Sequence, residues 1–221
     1  MKLNFVPQKD LSSRNSPEAT FHQRNLDLTD GEKFHTVVGI ALNSVLIPGL
    51  KSYVDKKVEK HYKELVTKYR IDSENSTLDM ATIGEKNLGL NIHEKNCKRV
   101  RRIENHHQLA KLYMQQFMAK FDKITDGKTD ASAILSIMGN AGCFSKSERE
   151  GSLEVRSNIR NVWGHCNYED WTEDMFLKCF HKMEKFIKNL SDTFIGRSEM
   201  QANLGNPSKY LEKKSVFKKT L

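Results

Sequence analysis

The chain has 221 residues, a formal net charge of +8 at pH 7 and a hydrophobic content of 38%. This length corresponds to one large domain, or to a smaller domain with tails. The longest apolar stretch, residues 37–50, contains polar residues and a proline and is shorter than the roughly 18–20 residues that cross a bilayer. The N-terminus has no apolar segment of the kind that forms a signal peptide. These features exclude membrane-spanning and collagen-like classes and predict no membrane partner.

The four cysteines are scattered along the chain and form no Cys-x-x-Cys pair. This pattern is typical of reduced thiols, and we expect a cytoplasmic protein, with the nucleus as the alternative. His106 and His107 lie near Glu104, but neighbours on a helix point in different directions and the spacing supplies no third metal ligand. Nucleotide-binding glycine motifs are also missing from the sequence. We therefore expect neither a metal nor a cofactor.

Apolar residues recur at spacings of three and four along much of the chain, which predicts helices. Residues 1–29 lack this pattern and are expected to form a flexible N-terminal arm. The pattern runs from Gly31 to Tyr69 with Pro48 between them, which predicts either one kinked helix or two consecutive helices. Residues 72–95 are polar and are expected to form a long connection.

The middle of the chain contains a third periodic run, at residues 103–124, which the turn signal Asp126-Gly127 ends. Asp130 is a suitable N-cap for a short helix that follows. Residues 145–151 are charged and are expected to form a loop.

Two further helices complete the predicted domain: one at about residues 152–166, and a long amphipathic one that Thr172 caps. No window alternates with the period of a strand. The predicted fold is therefore all-α, a bundle of four to five main helices over residues 30–195. A basic C-terminal tail is expected at residues 196–221.

The helix at residues 152–166 separates an apolar arc from a polar arc when it is drawn at about 100° per residue. The polar arc holds Arg160, Asn161 and His165, with Gly164 between the first two. A glycine inside a helix costs roughly 0.8–1 kcal/mol relative to alanine, so its presence here indicates close approach by another backbone or a ligand. Asn161 and His165 are i,i+4 neighbours, so the amide is placed to orient the imidazole.

The chemistry that this group of side chains suits is work on a phosphate ester. Arginine offers a forked, permanent cation that fits phosphate oxygens, and histidine moves protons at neutral pH. The alternative is an ordinary solvated helix end, in which His165 is a cation favoured by the helix dipole.

The run Arg160-Asn-Val-Trp-Gly-His165 resembles the signature of the HEPN superfamily (higher eukaryotes and prokaryotes nucleotide-binding), in which a histidine follows an arginine after a short spacer that begins with a polar residue. The longer context resembles the branch found in a DAZ-interacting RING-type ubiquitin ligase and in animal stress and immune multidomain proteins. It consists of Ile134-Leu135, a variable loop, the motif and an aromatic-rich last helix. The resemblance covers residues 30–195 as a pattern of helices and is specific over 130–190.

The resemblance implies a metal-independent endoribonuclease that acts as a homodimer, with one composite site built by two copies of the motif. His165 would be the general acid/base, Arg160 would hold the scissile phosphate, and Asn161 would orient either of them. Arg156 is a candidate for a second phosphate contact. The ribose 2′-hydroxyl would act as nucleophile and leave a cyclic phosphate, which restricts the substrate to RNA. A basic cluster supplies further candidate RNA contacts: Lys98, Arg99, Arg101 and Arg102.

Two other interpretations stay open. The same helical dimer can be a catalytically inactive module that binds nucleotide or RNA, or that joins protein partners in stress or immune signalling. It can also be a helical adaptor whose basic tail alone attracts polyanions. The lysines of that tail are Lys209, Lys213, Lys214, Lys218 and Lys219.

Overall fold

The computed structural model describes residues 28–73, 102–191, 194 and 196–205. Within these ranges the protein forms six helical segments and no strand, which confirms the predicted all-α bundle. Residues 1–27 of the predicted N-terminal arm, most of the predicted polar connection and the lysines of the predicted tail lie outside the described residues.

The first helix, α1, spans Asp30–Tyr69 without interruption. Thr29 caps its start by a capping box with Glu32. A π-helical turn, Ala41–Leu46, lies directly before Pro48. Proline lacks an N–H and crowds the carbonyl four residues earlier, and a local π-helical turn absorbs this change in hydrogen bonding without ending the helix. Of the two predicted alternatives, the continuous helix is therefore the one that forms.

The α1 helix is long and apolar enough to cross a membrane by length and composition, which the sequence analysis did not expect. Its most apolar 18-residue window has a mean hydropathy of 1.5, and half of that window is buried inside the molecule. Val38, Leu42, Leu46 and Leu50 are fully buried. The apolar face of α1 therefore packs against the other helices of the bundle.

The prediction of a helix over residues 103–124 is wrong for most of its length. Only α2, His106–Lys111, and a 3₁₀ turn, Gln116–Met118, form there. The Asp126 carboxylate instead organises a turn, because local side-chain bonds to the backbone compete with helix formation. It accepts hydrogen bonds of 2.7–3.2 Å from the backbone N–H groups of Asp122, Lys123, Lys128 and Thr129. The apolar side chains of the run are still buried, and these are Tyr113, Met114, Phe121 and Ile124.

The helix α3 spans Ala131–Asn140 and is buried along its whole length. It begins as predicted at Asp130, whose carboxylate accepts a 2.9 Å hydrogen bond from the Ala133 N–H. The charged loop predicted at residues 145–151 does not form. Ser145 and Glu148 make a capping box there and start the next helix.

That helix, α4, covers residues 146–165 in three consecutive parts. Lys146–Val155 is α-helical, Arg156–Arg160 is a π-helical turn, and Asn161–His165 is α-helical again. Cys166 ends it with a left-handed backbone conformation, at φ 52°. The end of the predicted helix is therefore correct, whereas its start lies earlier than predicted.

The helix α5, Glu173–Lys188, begins as predicted at Thr172, whose hydroxyl accepts a 3.2 Å hydrogen bond from the Met175 N–H. The segment predicted as a basic tail begins with α6, Arg197–Leu204, whose Met200 and Leu204 are buried. In the bundle α3 packs on α4, α2 packs on α1, and α5 contacts α1, α4 and α6. This arrangement places the end of α4 beside the start of α1.

Candidate functional site

The polar face predicted for α4 reaches solvent. Arg160 and Asn161 are half-buried, and Gly164 and His165 are exposed. On the opposite side Val155 and Ile159 are fully buried, as the helical wheel predicts. The candidate side chains are therefore accessible to a ligand.

The Arg160 guanidinium lies close to both Asn161 and Gly164. Its Nη1 donates a 3.4 Å hydrogen bond to Asn161 Oδ1. The same nitrogen lies 3.8 Å from the position that a Cβ on Gly164 would take. The predicted contact between Asn161 and His165 is not formed, and within the described part of the chain no hydrogen bond orients His165. Among the described residues, the arginine of the motif is thus hydrogen-bonded and the imidazole is not.

A π-helical turn, Arg156–Arg160, precedes the motif directly. The Asn161 N–H bonds to the Arg156 carbonyl, five residues earlier, instead of to the usual partner four residues earlier. Such bulges occur often at functional sites because they change which side chains share a helix face. The half-buried Arg156 is therefore displaced from the angle that a regular helix gives it relative to Arg160.

Trp163 anchors the motif to α1 by a reciprocal pair of hydrogen bonds with His35. Trp163 Nε1 donates to the His35 carbonyl at 3.2 Å, and His35 Nε2 donates to the Trp163 carbonyl at 3.0 Å. The two rings stack with centroids 5.4 Å apart. The rings of Tyr168 and Trp171 lie nearly perpendicular to the His35 ring, with centroids 5.1 and 5.4 Å from it. His35 was not among the predicted site residues, because its only signal in the sequence is a histidine beside the apolar stripe of a helix.

We expect opposite effects from alanine at two glycines beside the motif. A Cβ on Gly39 would lie 2.5 Å from Trp163 Nε1, so Gly39→Ala must displace the indole and destabilise the fold by about 1–3 kcal/mol. A Cβ on Gly164 has no heavy atom nearer than 3.8 Å, so Gly164→Ala should stabilise α4 by about 0.5–1 kcal/mol. Urea denaturation of both variants measures this difference. Equal effects at the two positions would contradict the packing described for Trp163.

The basic cluster predicted to contact RNA is only partly described, because Lys98, Arg99 and Arg101 lie outside the described residues. Arg102 is exposed and is paired with Glu104, whose Oε1 lies 2.6 Å from Nη2 and 2.9 Å from Nε. Its charge is therefore balanced locally.

Arg102 also lies far from the motif of the same chain. The neighbouring Ile103 is held by Tyr62, whose hydroxyl donates a 3.0 Å hydrogen bond to its carbonyl. Tyr62 and His35 are about 40 Å apart along α1 at 1.5 Å per residue. The structure therefore does not bring Arg102 and Arg160 together within one copy of the chain.

Three cysteines are described, and none of them is in a disulfide: Cys143, Cys166 and Cys179. Burial raises the pKa of the Cys143 thiol to about 12. Burial also raises the pKa of the Cys179 thiol to about 11. Both side chains are therefore protonated and unreactive at neutral pH.

Comparison of the chain with protein-family models, curated proteins and solved structures found no match. The interpretation of the site therefore depends on the motif in α4, its resemblance to the HEPN signature and the geometry around Arg160.

Proposed function

We propose that the chain is a metal-independent endoribonuclease of HEPN type, in which the Arg160–His165 surfaces of two copies form one site. The observation that carries this proposal is the placement of the Arg160 guanidinium against Gly164, with His165 exposed at the same end of α4. RNA cleavage requires a cation that fits a phosphate and a group that moves protons, and both must be accessible. This surface meets those requirements.

In the proposed reaction an imidazole takes the proton of a ribose 2′-hydroxyl. The resulting oxygen attacks the adjacent phosphorus, and the bond from phosphorus to the 5′-oxygen breaks as a proton is given to that oxygen. The products are a 2′,3′-cyclic phosphate and a 5′-hydroxyl end. Arg160 stabilises the negative charge that grows on the phosphate oxygens. DNA lacks the 2′-hydroxyl and is therefore not a substrate.

The reaction needs a base and an acid, and the motif of one chain has a single imidazole. Two copies of the motif provide both groups when they face each other around a two-fold axis. Gly164 leaves open space beside Arg160, which allows such a close approach. We therefore propose a homodimer in which the ends of the two α4 helices meet.

A leucine at Gly164 tests this dimer. We expect Gly164→Leu to shift the protein to monomers and to abolish cleavage of labelled RNA in EDTA, because the new side chain occupies the contact. Gly127→Leu is the matched control, since Gly127 also has open space around its Cβ position. Light scattering measures the mass, and gel electrophoresis measures the cleavage. A wild-type dimer that leaves every RNA tested intact would refute the proposed ribonuclease activity.

One observation favours the alternative of an inactive binding module. Asn161 holds the Arg160 guanidinium, whereas no hydrogen bond holds His165 within the described structure. The side chain proposed to bind phosphate is thus hydrogen-bonded within the motif, and the side chain proposed to transfer protons is not. In this alternative, RNA or nucleotide binding survives His165→Ala and is lost in Arg160→Ala, and no RNA is cleaved. Stress or immune signalling partners would then be recruited by the same dimer.

A further inference from the structure

Three side chains that commonly bind metal ions meet where α2 packs on α1, away from the motif. Asp55 belongs to α1, and His106 and His107 form the start of α2. Asp55 Oδ1 lies 3.0 Å from His106 Nε2 and 3.6 Å from His107 Nδ1. All three potential ligand atoms lie within 4.8 Å of one another.

No metal was expected here, because the sequence places no third ligand near the two histidines. The fold supplies that ligand from Asp55, which precedes His106 by 51 positions. The two imidazole rings also converge, with centroids 3.8 Å apart, instead of pointing apart.

We propose that Asp55, His106 and His107 bind a divalent transition-metal ion, with zinc as the best fit. Two imidazole nitrogens and a carboxylate oxygen are a common zinc ligand set. Ligand bonds of about 2.0–2.1 Å place neighbouring atoms of a tetrahedron about 3.3 Å apart. The observed separations of 3.0 and 3.6 Å from Asp55 Oδ1 lie on either side of this value.

The surroundings fit a metal that keeps one position for water. The side chains of His106, His107 and Asp55 are 18%, 19% and 26% exposed, so an ion can enter and a fourth ligand can reach it. His107 Nδ1 accepts a 3.4 Å hydrogen bond from the Ile124 N–H, and this weak bond would have to give way for the same lone pair to bind the ion. For His106 Nε2 to bind the ion, the proton that it now donates to Asp55 would have to move to Nδ1 or to solvent.

The proposed ion would stabilise the packing of α2 on α1 and take no part in RNA cleavage. Asp55 and His35 are about 30 Å apart along α1 at 1.5 Å per residue, so the site is remote from the motif. Burial lowers the pKa of His107, as do the charges of His106, Lys123 and Lys111, whereas Asp55 raises it. The two lysine ammonium groups also repel a bound cation, so we expect them to weaken its affinity.

Titration of chelator-treated full-length protein with zinc chloride tests the site. We expect one ion per chain by calorimetry, and a rise in Tm of about 5–10 °C at a hundredfold excess over Kd. Cobalt(II) in place of zinc should give the visible absorption of a tetrahedral ion. RNA cleavage in EDTA should be unaffected, so the metal site and the proposed ribonuclease can fail independently of each other.

Two variants locate the ion: Asp55→Asn and His106→Gln. Removal of a residue that only contacts a ligand typically lowers metal affinity by about 10–100-fold, and we expect each of these variants to lose more zinc affinity than that. Each variant should also lose the rise in Tm that zinc causes in the wild type. Comparing each variant with and without zinc separates metal binding from general destabilisation. The controls are His181→Gln and Cys166→Ser, which remove exposed metal-binding groups elsewhere. Zinc binding that persists in both site variants, that disappears in a control, or that is absent from the wild type would overturn the proposal.

Discussion

RNA cleavage in EDTA should fall by about 10²–10⁴-fold when His165 is replaced by alanine, because the proposed reaction loses its proton-transferring group. The fold should be unaffected, since His165 is exposed and no hydrogen bond within the described residues depends on it. Initial rates on a labelled single-stranded RNA measure the loss of cleavage, and Tm measured in parallel shows whether the fold is unaffected.

Arg160→Ala should reduce cleavage by about 10²–10³-fold, because the growing charge on the phosphate loses its cation. Arg160→Lys should recover only part of the rate, since an ammonium keeps the charge without the planar fork. This series distinguishes a bidentate phosphate contact from a general attraction to RNA, for which lysine would serve equally well.

The matched control for His165→Ala is His181→Ala, which removes an exposed histidine from α5. It should cleave RNA at the wild-type rate. If His165→Ala also keeps the wild-type rate, the imidazole of the motif is not the catalytic group and the proposed mechanism is wrong. If neither His165→Ala nor His181→Ala cleaves RNA, and Arg160→Ala alone loses RNA binding, the inactive binding module is the correct interpretation.

The largest expected effect on stability is at Glu148, whose replacement by alanine should lower the free energy of unfolding by about 3–5 kcal/mol. Its side chain is 1% exposed, and the Lys57 ammonium lies 3.5 Å from it. It accepts hydrogen bonds from the Tyr53 hydroxyl, from the Ser145 N–H at 2.7 Å and from the Ser191 N–H at 3.4 Å. The carboxylate therefore joins α1, the start of α4 and the segment after α5, and alanine leaves these donors without their acceptor.

Glu150→Ala is the matched control, because its side chain is 66% exposed and its nearest cation, Lys146, is 3.8 Å away. Loss of this exposed pair should change the unfolding free energy by no more than about 0.5 kcal/mol. Urea denaturation at pH 7 measures both variants. Similar losses for Glu148→Ala and Glu150→Ala would show that the buried network does not hold the helices together.

The same network predicts how stability depends on pH. Burial raises the pKa of Glu148, but hydrogen bonds from Tyr53 and Ser145 and the charge of Lys57 outweigh it, so the net pKa lies below its ordinary value. A lowered pKa contributes stability above the unfolded value of about 4.3, and this stability is lost as pH falls through the folded value. Glu148→Gln should therefore be less stable than the wild type at pH 7, and the difference should shrink below about pH 4. A difference that stays constant with pH would contradict a charged Glu148.

The parts of the fold that could be predicted from the sequence are those set by neighbouring residues. Asp130 and Thr172 were recognised as N-caps because each bonds to an N–H only three residues later. The loop predicted at residues 145–151 and the helix predicted at 103–124 were wrong for a related reason. In the first case Ser145 and Glu148 formed a capping box that starts a helix. In the second case the Asp126 carboxylate accepted hydrogen bonds from the backbone N–H groups of a turn.

By itself, the sequence determined the all-α class and placed Arg160, Asn161 and His165 at the solvent-facing end of one helix, because residues a few positions apart on a helix lie near one another in any fold. The tertiary structure decided which distant residues meet. It brought His35 against Trp163, 128 positions later, and Asp55 against His106, 51 positions later. Such contacts depend on how whole helices pack, and no spacing within a single helix carries that information.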